Sequence, residues 1–416
     1  MSERESLGDT IWLVRGEAAP LLKLLDSDGE QARIVGGAVR DALLRLPVHE
    51  VDIATTALPD EVVRRVEAAG WKTIPTGIEH GTVTVLIAGK TFEVTTLRRD
   101  VETYGRKAKV VFGRDWVADA ARRDFTINAL SLSADGQLHD YVGGVADLAA
   151  RRVRFIGDPG QRIAEDYLRI LRFFRFHAWY GEGAPDSDGL HACIRGRAGI
   201  DSLSRERVRT ELLKLLLAPH ATPTLALMTE TSLLGNVLGG VALLASFENL
   251  TKVEAAIGVE SDPVRRLGAL GVWVAEDAER LTERLRLSNA DAERLTALEP
   301  WWRMTPNLGG MSARALLYRL GPRRFADQVL VAWSRSAAGA ADRAWRALAD
   351  LPRTWRVPEF PLKATDFMAR GFAAGPALGA VMRAAEQAWI AADFPADAAT
   401  IQVIADQAAQ EAGRTD

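Results

Sequence analysis

The chain has 416 residues, of which 48% are hydrophobic and 26% charged, a composition typical of a folded globular protein and a length that suits more than one domain. A net charge of −3 excludes a globally basic nucleic-acid binder, so any nucleic-acid site has to depend on local clusters of basic residues. The single cysteine, Cys193, excludes a framework of intrachain disulfides.

The N-terminal residues are polar and mixed in charge, with no apolar signal segment behind them. No apolar run approaches the length of a membrane span. Together with the one cysteine, these features predict a cytoplasmic protein that does not contact a membrane.

The first predicted elements form a strand, a turn and a helix. Residues 32–35, which are apolar except for Arg33, predict a buried strand, Gly36 and Gly37 permit a sharp turn, and residues 38–46 have the composition of a helix. This order places the free amides of a helix N-terminus where a phosphate group could bind.

Residues 48–54 predict the next strand, whose period of two places Glu50 and Asp52 on one face. Two neighbouring carboxylates repel each other unless a cation lies between them, and oxygen ligands with few protein partners suit Mg²⁺ beside a triphosphate. A phosphate turn followed by this pair therefore predicts nucleotidyl transfer. The alternative is an ordinary turn followed by two solvated acids, and the combination of both features favours the metal.

Residues 59–69 predict a helix, and residues 82–88 and 91–96 predict two strands joined by a tight turn at 88–90. Glu93 falls on the polar face of the second strand, where its carboxylate could supply a third ligand or orient an attacking hydroxyl. Residues 98–110 are densely charged and predict a mobile surface loop. Residues 129–133 predict a further strand.

Two later segments carry charges suited to a nucleotide. The adjacent Arg122 and Arg123 can donate to triphosphate oxygens, and Asp124 can accept from a ribose hydroxyl; the alternative is a salt-bridged helix start. Asp166 and Arg169 lie three residues apart in a predicted amphipathic helix, where they share a face. Such a pair could complement the amino and ring-nitrogen edges of C and A and reject the carbonyl of U or G, but without further context a plain helix salt bridge is the preferred interpretation.

Beyond residue 160 the composition becomes rich in Ala, Leu and Arg with helical spacing. The sequence therefore predicts an α+β protein, with a small mixed-sheet head followed by an all-α neck, body and tail. The expected boundaries are 1–150, 151–217, 218–305 and 306–416. An excess of arginine over residues 151–180 suits phosphates of a triphosphate or an RNA end, and Arg207 and Arg209 are further candidates for phosphate or structural contacts.

The motifs resemble those of the class II tRNA nucleotidyltransferases, the CCA-adding enzymes and their bacterial poly(A) polymerase relatives. The resemblance rests on Gly36-Gly37-Ala38-Val39-Arg40-Asp41 followed by Glu50-Val51-Asp52, on Arg122-Arg123-Asp124-Phe125-Thr126-Ile127-Asn128, and on Glu165-Asp166-Tyr167-Leu168-Arg169. Glu50 departs from the family pattern, which has Asp at this position. Its carboxylate stands on a stem that is one methylene longer.

The resemblance implies an enzyme that adds C, C and A from CTP and ATP to the tRNA 3′ acceptor end with Mg²⁺, releasing pyrophosphate, with no obligatory protein partner. It implies that residues 98–110 help the site change from CTP to ATP. The implied catalytic residues are Asp52, Glu50 and Glu93, with Glu50 and Asp52 also holding the metal. The implied nucleotide-binding residues are Gly36, Gly37, Arg40, Arg122, Arg123, Asp124, Asn128, Asp166, Arg169 and Arg172.

Two alternatives stay open at this point. A poly(A) polymerase or an A-adding enzyme shares the same head and differs only in its product. A catalytically weak RNA-binding relative is also compatible with the sequence, because Glu50 replaces the family Asp. The tail segment 360–379 predicts a helix-turn-helix that either approaches an RNA backbone or packs within the tail.

Overall fold

The computed structural model describes residues 10–74, 77–78, 81–104, 107–306 and 313–412. The chain divides into two compact units, Met1–Val237 and Leu238–Asp416. The first unit is α+β and the second is helical throughout its described part. Among the described residues, no helix is both long and apolar enough to cross a bilayer.

The first unit is built around a mixed sheet in which the described part of the chain contributes seven strands, in the order β3-β4-β5-β2-β1-β8-β9. Strands β2 and β5 are parallel, and the other pairings in this sheet are antiparallel. Two further strands, β6 and β7, form a separate antiparallel ribbon. The strands are β1 (Ala32–Val35), β2 (Asp52–Thr55), β3 (Lys72–Ile74), β4 (Thr82–Ile87), β5 (Lys90–Thr96), β6 (Arg98–Tyr104), β7 (Lys107–Phe112), β8 (Ser131–Ser133) and β9 (Leu138–His139).

Helices of the first unit alternate with the strands up to residue 139, and the described chain after that point contains helices and no named strands. They are α1 (Ala19–Leu25), α2 (Gly37–Leu43), α3 (Pro59–Ala68), α4 (Trp116–Ala121), α5 (Gly144–Ala149), α6 (Pro159–Glu165), α7 (Leu168–Tyr180), α8 (Ser187–Gly196), α9 (Arg205–Leu216), α10 (Ala221–Glu230) and α11 (Leu233–Leu238), with short 3₁₀ segments at Thr126–Asn128 and Arg197–Ser202.

The second unit continues with helices of varied length. They are α12 (Leu244–Ile257), α13 (Pro263–Gly271), α14 (Ala275–Leu285), α15 (Asn289–Thr296), α16 (Ala313–Arg335), α17 (Arg343–Thr354), α18 (Ala364–Met368), α19 (Pro376–Ala391) and α20 (Ala398–Ala412), with a 3₁₀ turn at Trp301–Arg303. Helix α16 is interrupted by the non-helical Gly321, which precedes Pro322.

Several predicted strands are confirmed, including 32–35 as β1 and 91–96 within β5. The tight turn between β4 and β5 is also confirmed, because Ile87 pairs with Lys90 across Ala88 and Gly89, both of which have positive φ.

The predicted strand over 48–54 is wrong in its first half, because β2 begins only at Asp52. Its partner β1 ends at Val35, which pairs with Asp52, and the chain then turns away at Gly36. Residues 48–51 therefore have no residues of β1 to pair with, and Glu50 precedes strand β2 instead of lying in it.

The predicted surface loop over 98–110 is also wrong, since β6 and β7 pair from Arg98 with Phe112 to Tyr104 with Lys107, with one irregularity between Asp100 and Glu102. The segment contains the β-branched residues Val101, Thr103 and Val110, which favour strands despite the surrounding charge. Residues 105–106 of the predicted loop lie outside the described part of the chain.

A cluster of aromatic side chains connects the end of the sheet region to α7. The ring centroid of Phe125 lies 4.8 Å from that of Phe155 and 5.3 Å from that of Phe176, and the rings of Phe155 and Phe173 stack at 5.5 Å. Phe125, Phe155 and Phe173 are fully buried. Because Phe173 and Phe176 belong to α7, this apolar contact fixes the helix against the segment that carries Arg122, Arg123 and Asp124.

Candidate active site

Two carboxylates stand side by side on the central strands. Asp52 is the first residue of β2 and pairs in parallel register with Glu93 of β5. Neighbouring residues in register project from the same face of a sheet, and both acids are exposed while Ile53 and Val94 are buried on the opposite face. The predicted placement of Glu93 on a polar face is therefore confirmed, and Asp52 and Glu93 are brought together.

The charge around Asp52 is largely uncompensated. Partial desolvation by the surrounding protein, followed by the negative charges of Glu93 and Glu50, together raise the pKa of Asp52 to about 6, against the opposing effect of Arg123. The Asp52 carboxylate therefore lies close enough to Glu50, Glu93 and Arg123 for their charges to act on it.

The donors at this position suit a hard divalent cation. They are all carboxylate oxygens, and the unfavourable charge on Asp52 is what a cation would relieve. In the described part of the chain no three acidic, His or Cys side chains are preassembled as a metal cage. Mg²⁺ itself needs only one or two carboxylates, because the ion keeps waters and takes phosphate oxygens as further ligands.

The turn between β1 and α2 lies beside these acids. Gly36 has φ 71° and ψ −124°, a conformation that favours glycine, and its N–H donates to the Leu130 carbonyl at 3.0 Å. A Cβ added at Gly36 would lie 3.1 Å from Nη1 of Arg123, whereas one at Gly37 would lie 3.5 Å from Nη2 of Arg40. The guanidinium groups of Arg123 and Arg40 therefore lie close to the two glycines of the turn.

Arg122 and Arg123 are both anchored by Asp119 of α4, which is nearly fully buried. Arg122 approaches the Asp119 carboxylate to 2.6 Å and Arg123 to 3.3 Å. Arg162 of α6 donates to the main-chain carbonyls of both arginines at 2.5 Å. Each of the two side chains is about one-fifth exposed. Asp119 positions their guanidinium groups, and Arg162 positions the main chain of both residues.

Asp124 and Asn128 are engaged inside the protein. Asp124 accepts from Nε of Arg172 at 2.7 Å and from the Asn128 amide at 3.1 Å. Burial opposes its ionisation, but the Arg172 charge and the hydrogen bonds from Asn128 and the Phe125 N–H hold the pKa of Asp124 below its ordinary value. Arg172 is one-third exposed and also lies 3.6 Å from Glu211.

Arg40 is buried, with 6% exposure, and its guanidinium is used within the protein. It donates to both carboxylate oxygens of Asp41, to Oδ1 of Asn128 at 2.5 Å and to the Tyr180 hydroxyl at 2.6 Å. Its expected contact with a nucleotide remains a prediction. In the structure its side chain binds Asn128, and its N–H donates to the Gly36 carbonyl of the turn.

Asp166 and Arg169 do not share one helix, so this part of the prediction is wrong. Helix α6 ends at Glu165 and α7 begins at Leu168, while Asp166 is extended with φ −157°. The Asp166 side chain accepts from the Leu168 N–H at 3.1 Å, and this local bond competes with helix continuation.

The two residues also have other partners than each other. Nη2 of Arg207 donates to Asp166 at 2.6 Å, and Arg169 pairs with Glu165 at 2.5 Å. Glu165 binds Arg162 as well, at 2.5 Å, so one carboxylate connects Arg169 with the residue that holds the Arg122 and Arg123 backbone. Asp166, Arg169 and Arg207 are each partly exposed.

Sequence reasoning missed several residues of this arrangement. Arg207 was recognised only as a phosphate or structural candidate, and Arg162 and Glu211 were not assigned partners. The spacing Asp119 to Arg122 is an i,i+3 signal that could have identified Asp119 as their anchor. Tyr180 carries no local signal, because its partner Arg40 is 140 positions away in the sequence.

Comparisons with known proteins agree with this geometry. A family model described as "Poly A polymerase head domain" matches residues 32–154, and one described as "Probable RNA and SrmB- binding site of polymerase A" matches residues 190–243. The mitochondrial CCA tRNA nucleotidyltransferase 1 of Mus musculus is 34% identical over 385 residues, covering 89% of this chain and 85% of the mouse protein.

A bacterial relative and a solved structure give the same result. The CCA-adding enzyme of Limosilactobacillus fermentum is 33% identical over 369 residues, covering 87% of this chain and 89% of the relative. The crystal structure of the Bacillus stearothermophilus CCA-adding enzyme in complex with CTP is 26% identical, with a TM-score of 0.76 over 100% of both chains. The motifs, the fold and these similarities together show that the chain belongs to the class II tRNA nucleotidyltransferases, the family of the CCA-adding enzymes.

Proposed function

We propose that the chain adds C, C and A, without a template, to the 3′ acceptor end of tRNA, using CTP and ATP with Mg²⁺ and releasing pyrophosphate. One observation carries the proposal. Arg123 lies against Gly36 and its charge also acts on Asp52, so the phosphate turn and the carboxylates belong to one site.

Glu50 and Asp52 would hold the Mg²⁺, which when bound neutralises triphosphate charge and favours ionisation of the attacking hydroxyl. Glu93, which is in register with Asp52, would orient the terminal 3′-hydroxyl of the tRNA. Arg122 and Arg123, fixed by Asp119, would donate to triphosphate oxygens. The turn at Gly36 and Gly37 would leave room for the phosphates, because neither residue has a side chain.

Base selection is assigned to Asp166 and Arg169. A carboxylate that accepts and a guanidinium that donates complement the edges of C and A, whereas U and G would place a carbonyl against Asp166. Arg207 holds Asp166 and Glu165 holds Arg169, so both groups would be oriented before the nucleotide arrives. Asp124 and Arg172, which pair with each other, would contact the ribose and phosphates.

The domain assignment follows from the same proposal. Residues 1–150 would form the catalytic head, 151–217 the neck that binds nucleotide and RNA, 218–305 the body, and 306–416 the tail that binds tRNA. The CCA-adding enzyme of Thermotoga maritima, whose fold is similar with a TM-score of 0.63, has been solved with tRNA, which supports tRNA as the substrate. A cytoplasmic location is proposed from the single, buried Cys193.

The test is a gel assay of the pure protein with Mg²⁺, each nucleoside triphosphate in turn, and tRNA that ends at the discriminator base, at C or at CC. We expect two additions from CTP followed by one from ATP, with growth stopping there. Long A tails would indicate a poly(A) polymerase instead. Binding of tRNA without extension would indicate a catalytically weak relative.

Two variants serve as controls for the metal assignment. Asp52→Ala should abolish transfer and leave tRNA binding largely intact, since the acid contacts the reacting atoms and not the tRNA body. Glu50→Asp restores the family's residue and should retain transfer. Unchanged turnover in Asp52→Ala would contradict the assignment of the carboxylates.

A further inference from the structure

Helix α7 contacts the phosphate turn region at its far end through Tyr180. The Tyr180 hydroxyl accepts from Nη2 of Arg40 at 2.6 Å and is also hydrogen-bonded to Asp41. The Arg40 guanidinium lies 4.0 Å from the centre of the Tyr180 ring, within cation–π distance. Arg40 belongs to α2, which begins at Gly37, so Tyr180 holds the helix that follows the turn.

The same helix is connected to Arg40 by a second route. Arg40 donates to Asn128, Asn128 donates to Asp124, and Asp124 accepts from Arg172, which is on α7. The contacts form a closed ring that leaves α7 at Tyr180 and returns to it at Arg172. Arg40 and Asn128 are buried, with 6% and 8% exposure, so little solvent competes for these bonds.

The ring lies between the two parts of the proposed reaction site. At the N-terminal end of α7 are Asp166 and Arg169, the proposed base-selecting pair. At its C-terminal end, Tyr180 reaches Arg40, whose Nη2 lies 3.5 Å from where a Cβ of Gly37 would be. The Arg40 N–H also donates to the Gly36 carbonyl at 3.1 Å, so a displacement of Arg40 would move the phosphate turn relative to the base-selecting end of α7.

We propose that Tyr180 is a positioning residue, which sets the phosphate turn against α7 through Arg40 and thereby aligns the triphosphate for attack. This inference rests on the proposed function. Tyr180 does not touch the nucleotide in this account. It fixes the distance between the turn and the helix, and such alignment affects the reacting geometry more than the binding of the substrate.

The variant Tyr180→Phe keeps the ring and its contact with the guanidinium but removes the hydroxyl. We expect kcat to fall about tenfold for both CTP and ATP, the loss associated with one hydrogen bond to a charged group. KM for each triphosphate should stay within roughly twofold, since a positioning group contributes little to ground-state binding. The preference for CTP over UTP should not change, because the variant leaves Asp166 intact.

Tyr141→Phe is the matched control. Tyr141 also accepts from an arginine, Nη1 of Arg33 at 2.9 Å, and lies outside the proposed site. Its kcat should equal that of the unaltered chain, and circular dichroism melts of both variants should show that they are folded at the assay temperature.

A second variant tests the route through Arg40. Arg40→Lys keeps the charge but cannot make the paired bonds to Asp41, so its kcat should fall at least as far as that of Tyr180→Phe. If both act through one ring, the double variant should be no slower than Arg40→Lys alone.

The inference is overturned if Tyr180→Phe retains the kcat of Tyr141→Phe, if its loss lies in KM, or if the two losses multiply in the double variant. Failure of the proposed function has a different signature, because the unaltered chain would then not extend tRNA at all.

Discussion

Arg207 of α9 donates to Asp166 at 2.6 Å, so the carboxylate proposed to select the base is already paired with a guanidinium from a different helix. Both side chains are about one-fifth exposed. The pairing leaves Asp166 Oδ1 to accept from the Leu168 N–H, and the carboxylate is consequently fixed at both oxygens.

Arg207→Ala should weaken base selection. Without its partner the Asp166 carboxylate loses one fixed oxygen, and we expect the ratio of kcat/KM for CTP over UTP to fall about tenfold, as for loss of a charge-assisted hydrogen bond. Single-turnover incorporation of each nucleotide measures this ratio. Arg195→Ala, at an exposed position of α8, is the control and should leave the ratio unchanged. An unaltered ratio in Arg207→Ala would contradict the role given to this pair.

Asp52→Asn should stabilise the protein while it abolishes transfer. The pKa of Asp52 is raised from 3.8 to about 6, so its stabilising contribution is present below pH 3.8 and is lost as the pH rises through 6. At pH 7.5 the ionised side chain is a net cost, and the neutral amide removes it. We expect a higher Tm for the variant at pH 7.5 without divalent metal, and no gain below pH 3.8.

Mg²⁺ should reduce this difference in Tm, because it binds and stabilises only the unaltered chain. Asp60→Asn, at an exposed site in the first turn of α3, is the control and should not raise the Tm. A lower Tm for Asp52→Asn at pH 7.5 would show that the acids near Asp52 do not repel it.

Gly36→Ala should impair nucleotide binding. The added Cβ would lie 3.1 Å from Nη1 of Arg123, and the residue would keep φ 71°. Displacing this guanidinium should raise KM for CTP and ATP roughly tenfold, since it removes a charged contact to phosphate. Steady-state kinetics on tRNA lacking its 3′ end measures the change.

Gly29→Ala separates backbone strain from the contact with Arg123. Gly29 has φ 80°, but no atom lies within 4 Å of its added Cβ. Both variants should lose about 1 kcal/mol of stability from the positive φ. Only Gly36→Ala should lose nucleotide binding, and equal KM values for the two variants would exclude Arg123 as the cause.

Asp262→Asn should destabilise the second unit. Asp262 accepts from the Val264 and Arg265 N–H groups at the start of α13 and pairs with Arg294 at 2.8 Å and Arg323 at 3.0 Å. Burial opposes ionisation, but these hydrogen bonds and the Arg294 charge lower the pKa of Asp262 to about 2. The stabilisation is present above pH 3.8 and is lost as the pH falls through 2.

The variant keeps the helix cap but loses the charge, and we expect a loss of about 2 kcal/mol at pH 7 by urea unfolding, which disappears toward pH 2. Asp350→Asn is the control, since its i,i+3 pair with Arg353 lies on the surface and should contribute less than about 0.5 kcal/mol. Equal losses from the two variants would contradict the buried network.

The local part of the site was accessible to sequence reasoning. The glycines predicted a sharp turn, and Gly36 adopts a positive φ just before α2. The alternation of polar and apolar residues around Glu93 predicted its carboxylate on the polar face of β5. These features depend on residues within a few positions of each other, which is the range over which period and turn chemistry act.

The long-range part was not accessible. The start of β2 depends on where β1 ends, and the partner of Asp166 is 41 positions away on α9. The predicted helix over Asp166 and Arg169 failed because a side-chain bond to the Leu168 N–H competed with it. Composition could not distinguish the β6 and β7 ribbon from a charged loop, since strand pairing depends on backbone partners.

The parallel register of β2 and β5 determines how the carboxylates of Asp52 and Glu93 are placed for a cation. Backbone hydrogen bonds hold neighbouring strands of any sheet about 4.8 Å apart. Because Asp52 and Glu93 are in register on β2 and β5, their main chains are separated by about this strand spacing. The acids are brought together during folding, against their own repulsion, by the burial of Ile53 and Val94 beneath them. The two like charges are therefore brought together when the chain folds, before any cation or substrate is present.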